Sequence, residues 1–170
     1  MAVLEESGES GMDLRGVRCV WPAAGSSAER REAEREAERR EVVERVTRWA
    51  ANRSDVVGLL LVGSCARGTA GPDSDVDLVL LTTEPSGYGE DGARVRELRL
   101  GEVIRVQAWG PVTEWRHATA TGLEVELGVT STAWARTDPV DAGTRRVVTD
   151  GARPLYDPAG LLTALIRACG

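Results

Sequence analysis

Two short apolar segments constrain the fold of this chain more than any other feature. One runs from Asp55 to Val62 and the other from Asp75 to Leu81. Apart from their aspartates and Gly58, both segments consist of aliphatic residues. Runs of this length and composition are typical of strands that are buried inside a sheet. The sequence therefore predicts a sheet that contains both segments and has helices packed on it.

The rest of the chain supplies the neighbours of these strands. Ser26 and Glu29 form a capping-box pattern, which predicts a long helix from Ser27 to Asn52. Its first half is nearly all charge and is predicted to be solvated, and only its second half has an apolar face. The other predicted elements are a mobile loop at 84–92, a short helix at 93–100, an antiparallel meander of strands at 102–109, 112–119 and 123–130, a helix from 139 to 148, an edge strand at 153–156 and a helix at 161–168. The predicted class is α+β, with residues 26–170 as one domain and residues 1–25 as a flexible extension.

Asp75 and Asp77 are unusual residues for the start of a buried strand. At positions i and i+2 their side chains point to the same face, about 7 Å apart at the backbone. Two carboxylates held together out of water are costly unless a cation neutralises them, and Mg²⁺ prefers carboxylate and phosphate oxygens. The alternative is that both acids are solvated in an ordinary turn. Gly63 and Ser64, at the end of the preceding strand, favour a metal site, because a glycine there lets the backbone and the Ser64 hydroxyl approach a phosphate.

The whole segment from Gly63 to Asp77, GSCARGTAGPDSDVD, resembles the signature of the nucleotidyltransferase superfamily typified by DNA polymerase beta. Within that superfamily it is most similar to the aminoglycoside and minimal nucleotidyltransferases of prokaryotes. The resemblance implies a nucleotidyltransferase fold in which Asp75 and Asp77 bind Mg²⁺ or Mn²⁺. It also implies that Gly63 and Ser64 contact the β- and γ-phosphates of a nucleoside triphosphate, most often ATP. A hydroxyl would attack the α-phosphorus and pyrophosphate would leave.

Two further residues of the segment, Arg67 and Ser74, also fit this signature and are predicted to lie on the nucleotide-binding side. For Arg67, an equally good interpretation is a surface residue of a turn that does not contact the nucleotide. Tyr88, in the glycine-rich loop, is a candidate for stacking on the base.

Such enzymes carry a third acid on a neighbouring strand, and here the candidates are Glu124 and Glu126. Alternation places both on one face of their strand, and Glu124 is preferred because the family acid stands near the beginning of its strand. An amphipathic strand with a solvated glutamate face is the alternative. On the preceding strand, Glu114 and Arg116 are predicted to form cross-strand ion pairs, and the single histidine, His117, is assigned no role.

Composition excludes several classes of function. The net charge of −6 disfavours a large nucleic-acid interface, and no apolar run is long enough to cross a bilayer. The three cysteines, at 19, 65 and 169, show no zinc or disulfide spacing. An acidic start without a signal-peptide pattern predicts a cytoplasmic protein.

Two functions remain open at this point. One is transfer of a nucleoside monophosphate to a small-molecule or protein hydroxyl. The other is an antitoxin-like or non-catalytic role that consists mainly of binding a partner protein. Few residues follow the strands of the site, and Trp109, Trp115 and Trp134 cluster in or after the meander. We therefore expect a homodimer or a protein partner beside the acids.

Overall fold

The first element is the predicted long helix. The computed structural model describes residues 26–89 and 91–170, so the predicted flexible extension at 1–25 lies outside the described residues. Helix α1 spans Ser27–Ala51 and begins with the predicted capping box, in which the Glu29 amide donates to the Ser26 hydroxyl at 3.2 Å. Its buried face repeats at helical spacing, which fixes how the helix lies on the sheet. The buried residues are Arg39, Val42, Val46 and Ala50.

Six strands form one mixed sheet, which confirms the predicted α+β class. They are β1 (Val56–Val62), β2 (Val76–Thr82), β3 (Glu102–Trp109), β4 (Val112–Ala118), β5 (Glu124–Ser131) and β6 (Ala152–Tyr156). Their order across the sheet is β3-β4-β5-β2-β1-β6. The predicted meander is present, since β4 pairs antiparallel with both β3 and β5. The β2–β5 pair is parallel, and it joins the meander to the rest of the sheet.

Helices cover both faces of the central strands, and for this reason β1 and β2 are apolar almost throughout. On one face, Leu59, Leu61, Leu78 and Leu80 pack with α1. On the other face, alternate residues of the same strands pack against two C-terminal helices, α4 (Ala142–Thr149) and α5 (Leu161–Cys169). Each fully buried leucine contributes roughly 1.5–3 kcal/mol. None of the helices in the described ranges is both long and apolar enough to cross a membrane.

Three local predictions differ from the structure. The segment after β1, expected as a plain turn, contains one helical turn, α2 (Gly63–Arg67). Helix α3 covers only Ala93–Arg96, because Arg99 adopts a positive φ that ends the helix. The loop expected to be mobile contains a 3₁₀ turn at Pro85–Tyr88, whose tyrosine is buried.

Tyr88 therefore does not lie at a surface where a base could stack. Its hydroxyl donates to Asp55 at 2.6 Å, at the opposite end of β1 from Gly63. Arg53 and Arg94 also bind the Asp55 carboxylate. Burial, together with the hydrogen bond to Asp55 and the charge of Asp55, raises the pKa of Tyr88 to about 12, although the charge of Arg53 opposes this rise. The prediction that Tyr88 contacts a nucleotide was wrong, because its ring is needed in the core.

Candidate active site

Four acids meet where β2 and β5 begin. The two strands are parallel and in register, with Asp77 opposite Glu126 and Val76 opposite Val125. Parallel pairing brings the start of both strands to the same edge of the sheet, so Asp75 lies beside Glu124. One carboxylate oxygen from each of Asp75, Glu124 and Glu126 lies within 4.8 Å of the others. Both candidate third acids are therefore close to Asp75, and the preference for Glu124 stays a prediction.

Asp77 is held deeper, against the glycine turn. A Cβ atom added to Gly63 would stand 2.9 Å from Oδ2 of Asp77, so the strand-end glycine makes room for this carboxylate. Burial, together with the nearby charge of Asp75, raises the pKa of Asp77 to about 6. Burial and Glu124 also raise the pKa of Asp75. In both cases burial is the largest cause, a neighbouring carboxylate adds to it, and the charge of Arg116 opposes it.

The donor set suits a hard divalent cation. It consists of carboxylate oxygens, which are the ligands that Mg²⁺ and Mn²⁺ prefer, and the three converging acids are half-buried. The positive group that reaches them is Arg116 of β4, whose Nη1 donates to Glu124 at 2.7 Å while Nη2 contacts Glu126. Three of the acids predicted from the sequence, Asp75, Glu124 and Glu126, thus lie close enough together to hold a metal ion, and their role as ligands stays a prediction.

The predicted phosphate-binding residues lie in and around α2. Gly63 has a φ of +69°, a conformation that favours glycine, and its amide donates to the Gly151 carbonyl at 3.0 Å. The Ser64 side chain is half-buried at the start of the same helical turn. The amide of Gly63 is thus already used within the fold, and a phosphate contact there would involve the next amides or the Ser64 hydroxyl.

The other two predicted nucleotide contacts are engaged elsewhere. The Arg67 guanidinium binds Asp150, with Nη1 at 2.9 Å from the carboxylate. The Ser74 hydroxyl accepts from the Gly71 amide at 2.9 Å and closes the turn that leads into Asp75. Their contacts with a nucleotide stay predictions, and the bonds seen here give both residues a role in holding the turns beside the acids.

Comparison with known protein families agrees with this geometry. The profile of the nucleotidyltransferase domain family matches residues 39–130, which is more than half of the chain and includes α2 and all four acids. This chain belongs to that family. A search of curated proteins gave no match.

Sequence analysis missed how this nucleotidyltransferase domain uses the charged half of α1. Arg39 is only 5% exposed, and its Nη1 donates to the Gly71 carbonyl at 3.0 Å. Glu38 accepts from the Thr119 and Thr121 hydroxyls of the β4–β5 turn, and Arg35 donates to Thr121. The helix thus contacts both turns that precede the acidic strands. A signal was present, because residue 39 falls on the same helical stripe as the buried valines of α1.

Two acids of the nucleotidyltransferase site, Asp77 and Glu126, open onto a cavity of about 400 Å³ on the α4 side of the sheet, while Asp75 and Glu124 line a separate, smaller pocket. Asp77, Glu126 and Gly63 line one end, and Trp109, Val112 and Trp134 line the rest. A volume of this size lies within the range of small-molecule binding sites. Trp115, which was grouped with these tryptophans, is buried on the other face of the sheet.

The remaining residues of β4 behave as expected. Glu114 accepts from Arg105 at 2.7 Å and Arg116 binds the β5 glutamates, so both predicted cross-strand ion pairs are present. His117 is 1% exposed, and burial lowers the pKa of its imidazole, which stays neutral inside the core. Within residues 26–89 and 91–170, neither histidine nor cysteine contributes to the acid cluster.

Proposed function

We propose that this protein transfers a nucleoside monophosphate, most often AMP from ATP, to a hydroxyl of a small molecule or protein and releases pyrophosphate. The observation that carries the proposal is the convergence of Asp75, Glu124 and Glu126 beside Asp77 and the Gly63 turn. Membership of the nucleotidyltransferase family supports the same reaction class. The nature of the acceptor and the choice of ATP go beyond what family membership supplies.

Each residue has a defined task in this proposal. Asp75, Asp77 and Glu124, with Glu126 as the alternate, hold Mg²⁺ or Mn²⁺ through their carboxylate oxygens. The bound metal would neutralise charge on the phosphates and on the attacking and leaving oxygens. Gly63 and Ser64 orient the terminal phosphates, and Arg67 and Ser74 hold the surrounding turns. The cavity lined by Trp109 and Trp134 excludes water from one side of the reacting group.

The rival function, binding of a partner protein without catalysis, has one observation in its favour. Three of the four large apolar side chains exposed among the described residues, Ile104, Val106 and Trp109, lie on the edge strand β3. We propose that a second copy of the chain covers this strand. This contact is compatible with an active site, and the intact acid cluster favours catalysis. The absence of a large nucleic-acid interface and a cytoplasmic location stay predictions.

The test follows the label of the α-phosphate. The protein is incubated with Mg²⁺, a cell lysate and ATP labelled at either the α- or the γ-phosphate, and labelled products are identified by mass spectrometry. We expect the α-label to appear on an acceptor and the γ-label in pyrophosphate. The variant carrying Asp75→Asn and Asp77→Asn should add no α-label to the acceptor and should release no additional labelled pyrophosphate. Absence of α-label transfer by the wild type, in a lysate that supports a known transferase, would contradict the proposal.

A further inference from the structure

Arg116 occupies a position that the proposed metal site leaves unexplained. It lies on β4 directly opposite Glu126 of β5 in the antiparallel register. Its two terminal nitrogens bind different carboxylates, Nη1 that of Glu124 at 2.7 Å and Nη2 that of Glu126. The same two side chains converge with Asp75 to within 4.8 Å. The guanidinium therefore binds two of the three carboxylates that would hold a metal ion.

A guanidinium and a divalent cation cannot be held well by these carboxylates together. Both are attracted by the negative charge of the same carboxylates, and two positive groups a few ångströms apart repel each other. Arg116 is also imperfectly satisfied in this position, since its buried Nε–H has no hydrogen-bond partner among the described residues. An arginine that is held by two acids but leaves one donor unpaired is displaced more readily than one with all its donors bound.

We propose that Arg116 is the resident counter-ion of the acidic cluster and that a divalent cation displaces it from Glu124 and Glu126. This rests on the proposed metal-dependent function and adds a competitor inside the site. In the metal-free protein, Arg116 holds the carboxylates of Glu124 and Glu126 beside that of Asp75. Metal binding must break both of its ion pairs, so Arg116 lowers the affinity of the site for metal.

The chain offers a matched control in Arg105. It is also an arginine in a cross-strand ion pair on this side of the meander, but it binds Glu114, which is not one of the three converging acids. Arg105→Gln removes the same charge from the same region without touching the proposed competition. Arg116→Lys keeps the charge and removes the two-pronged contact, so it separates geometry from charge.

The experiment measures Mn²⁺ binding without nucleotide, by electron paramagnetic resonance of free Mn²⁺, on the wild type, Arg116→Gln, Arg116→Lys and Arg105→Gln. We expect Arg116→Gln to bind Mn²⁺ at least about tenfold more tightly than the wild type, because the competing charge is gone. Arg105→Gln should change the Kd by less than about threefold, since its charge is farther away and more exposed to solvent. Arg116→Lys should fall between the two.

Melting temperatures supply a second readout that a purely structural ion pair would not give. Arg116→Gln should melt below the wild type in EDTA, and the difference should disappear in saturating Mn²⁺. Weaker Mn²⁺ binding by Arg116→Gln, or an equal loss of melting temperature with and without Mn²⁺, would overturn the proposal. If neither protein binds Mn²⁺, the metal site itself is wrong. If the displacement is seen but no nucleotide is transferred, only the proposed reaction fails.

Discussion

Glu124 and Glu126 illustrate how finely the site depends on single residues. They lie two positions apart on β5, point to the same face, and both bring an oxygen close to Asp75. They differ in their neighbours on the adjacent strand β2. Glu126 is paired with Asp77, whereas Glu124 is the first residue of β5. The two acids are chemically alike, so only their replacement one at a time can separate their roles.

We expect Glu124→Gln to abolish nucleotidyl transfer and to leave nucleotide binding within a few-fold of the wild type. The amide keeps the size of the side chain but provides a weaker metal ligand than a carboxylate. Glu126→Gln is the matched variant and should be mild. Single-turnover transfer and nucleotide titration measure both effects. The opposite ranking would assign the third ligand to Glu126, and two mild variants would mean that neither acid takes part.

Asp77 makes the stability of the metal-free protein depend on pH. Its pKa in the folded protein is about 6, above its ordinary value of 3.8, so the folded state holds a proton that the unfolded state has lost between these values. Stability of the metal-free protein should therefore fall as pH rises from about 4 to above 6. At pH 7 we expect Asp77→Asn to be more stable than the wild type by about 2 kcal/mol in EDTA.

Urea unfolding at several pH values measures the difference in stability between Asp77→Asn and the wild type. Mg²⁺ or Mn²⁺ with ATP should reverse the sign of this difference, so that the wild type becomes the more stable protein. The metal stabilises the wild type by binding only to its folded state, and Asp77→Asn should lose that gain. Asp73→Asn, in the exposed turn before the strand, is the control and should change neither quantity. A metal-dependent gain that survives in the Asp75→Asn, Asp77→Asn double variant would remove the site assignment.

At the scale of elements, helix α1 does more than cover the sheet. Arg39 reaches the carbonyl of Gly71, in the turn that Ser74 closes before Asp75. We expect Arg39→Met to keep the helix packed while loosening this turn. The loss should be about 1–2 kcal/mol of stability and several-fold in Mn²⁺ affinity. Arg40→Met, at an exposed neighbouring position, is the control and should leave both unchanged. Hydrogen exchange of the Gly71 and Ser74 amides reports the turn directly.

Most of these elements could be predicted from the sequence, because their signals are local. The capping box at Ser26 and the apolar runs of β1 and β2 depend on neighbouring residues, and the ends of these elements agree to within one residue. The parallel pairing of β2 with β5 was not predictable in the same way. It joins segments that are far apart along the chain and depends on which strands are already paired.

The residues of the candidate site likewise divide into those predicted from local signals and those brought together by long-range contacts. Asp75 and Asp77 were identified from their spacing, whereas the approach of both glutamates follows from the β2–β5 register. The docking of Arg39 on Gly71 and the burial of Tyr88 also depend on tertiary contacts. A charged helix half and a glycine-rich loop have solvated conformations that are locally just as favourable, so the sequence alone cannot choose between them.

In the molecule as a whole, the exposed edge of β3 is the surface best suited to bind a partner. An edge strand offers unpaired backbone groups, and this one adds exposed Ile104 and Val106. It also carries both Glu102 and Arg105, so two antiparallel copies can place opposite charges across a shared ladder. The proposed second copy of the chain would therefore pair with the backbone groups of this edge and cover its exposed side chains.

We expect the wild type to sediment as a dimer at micromolar concentration. A variant with Ile104→Glu and Val106→Glu should sediment as a monomer, because charges on both copies would oppose each other at the edge. Val147→Glu, on the exposed side of α4, is the control and should remain dimeric. A wild-type monomer that transfers a nucleotide to a small alcohol unaided would contradict the shared edge.

The in-register pairing of β2 with β5 also determines when, during synthesis of the chain, the four acids can come together. Asp75 and Asp77 emerge from the ribosome long before Glu124 and Glu126, and the two pairs lie on parts of the sheet that are joined only through this ladder. A chain that has formed either part alone holds only two of the four acids. If the four acids bind a metal as proposed, incompletely folded copies are expected to bind it poorly.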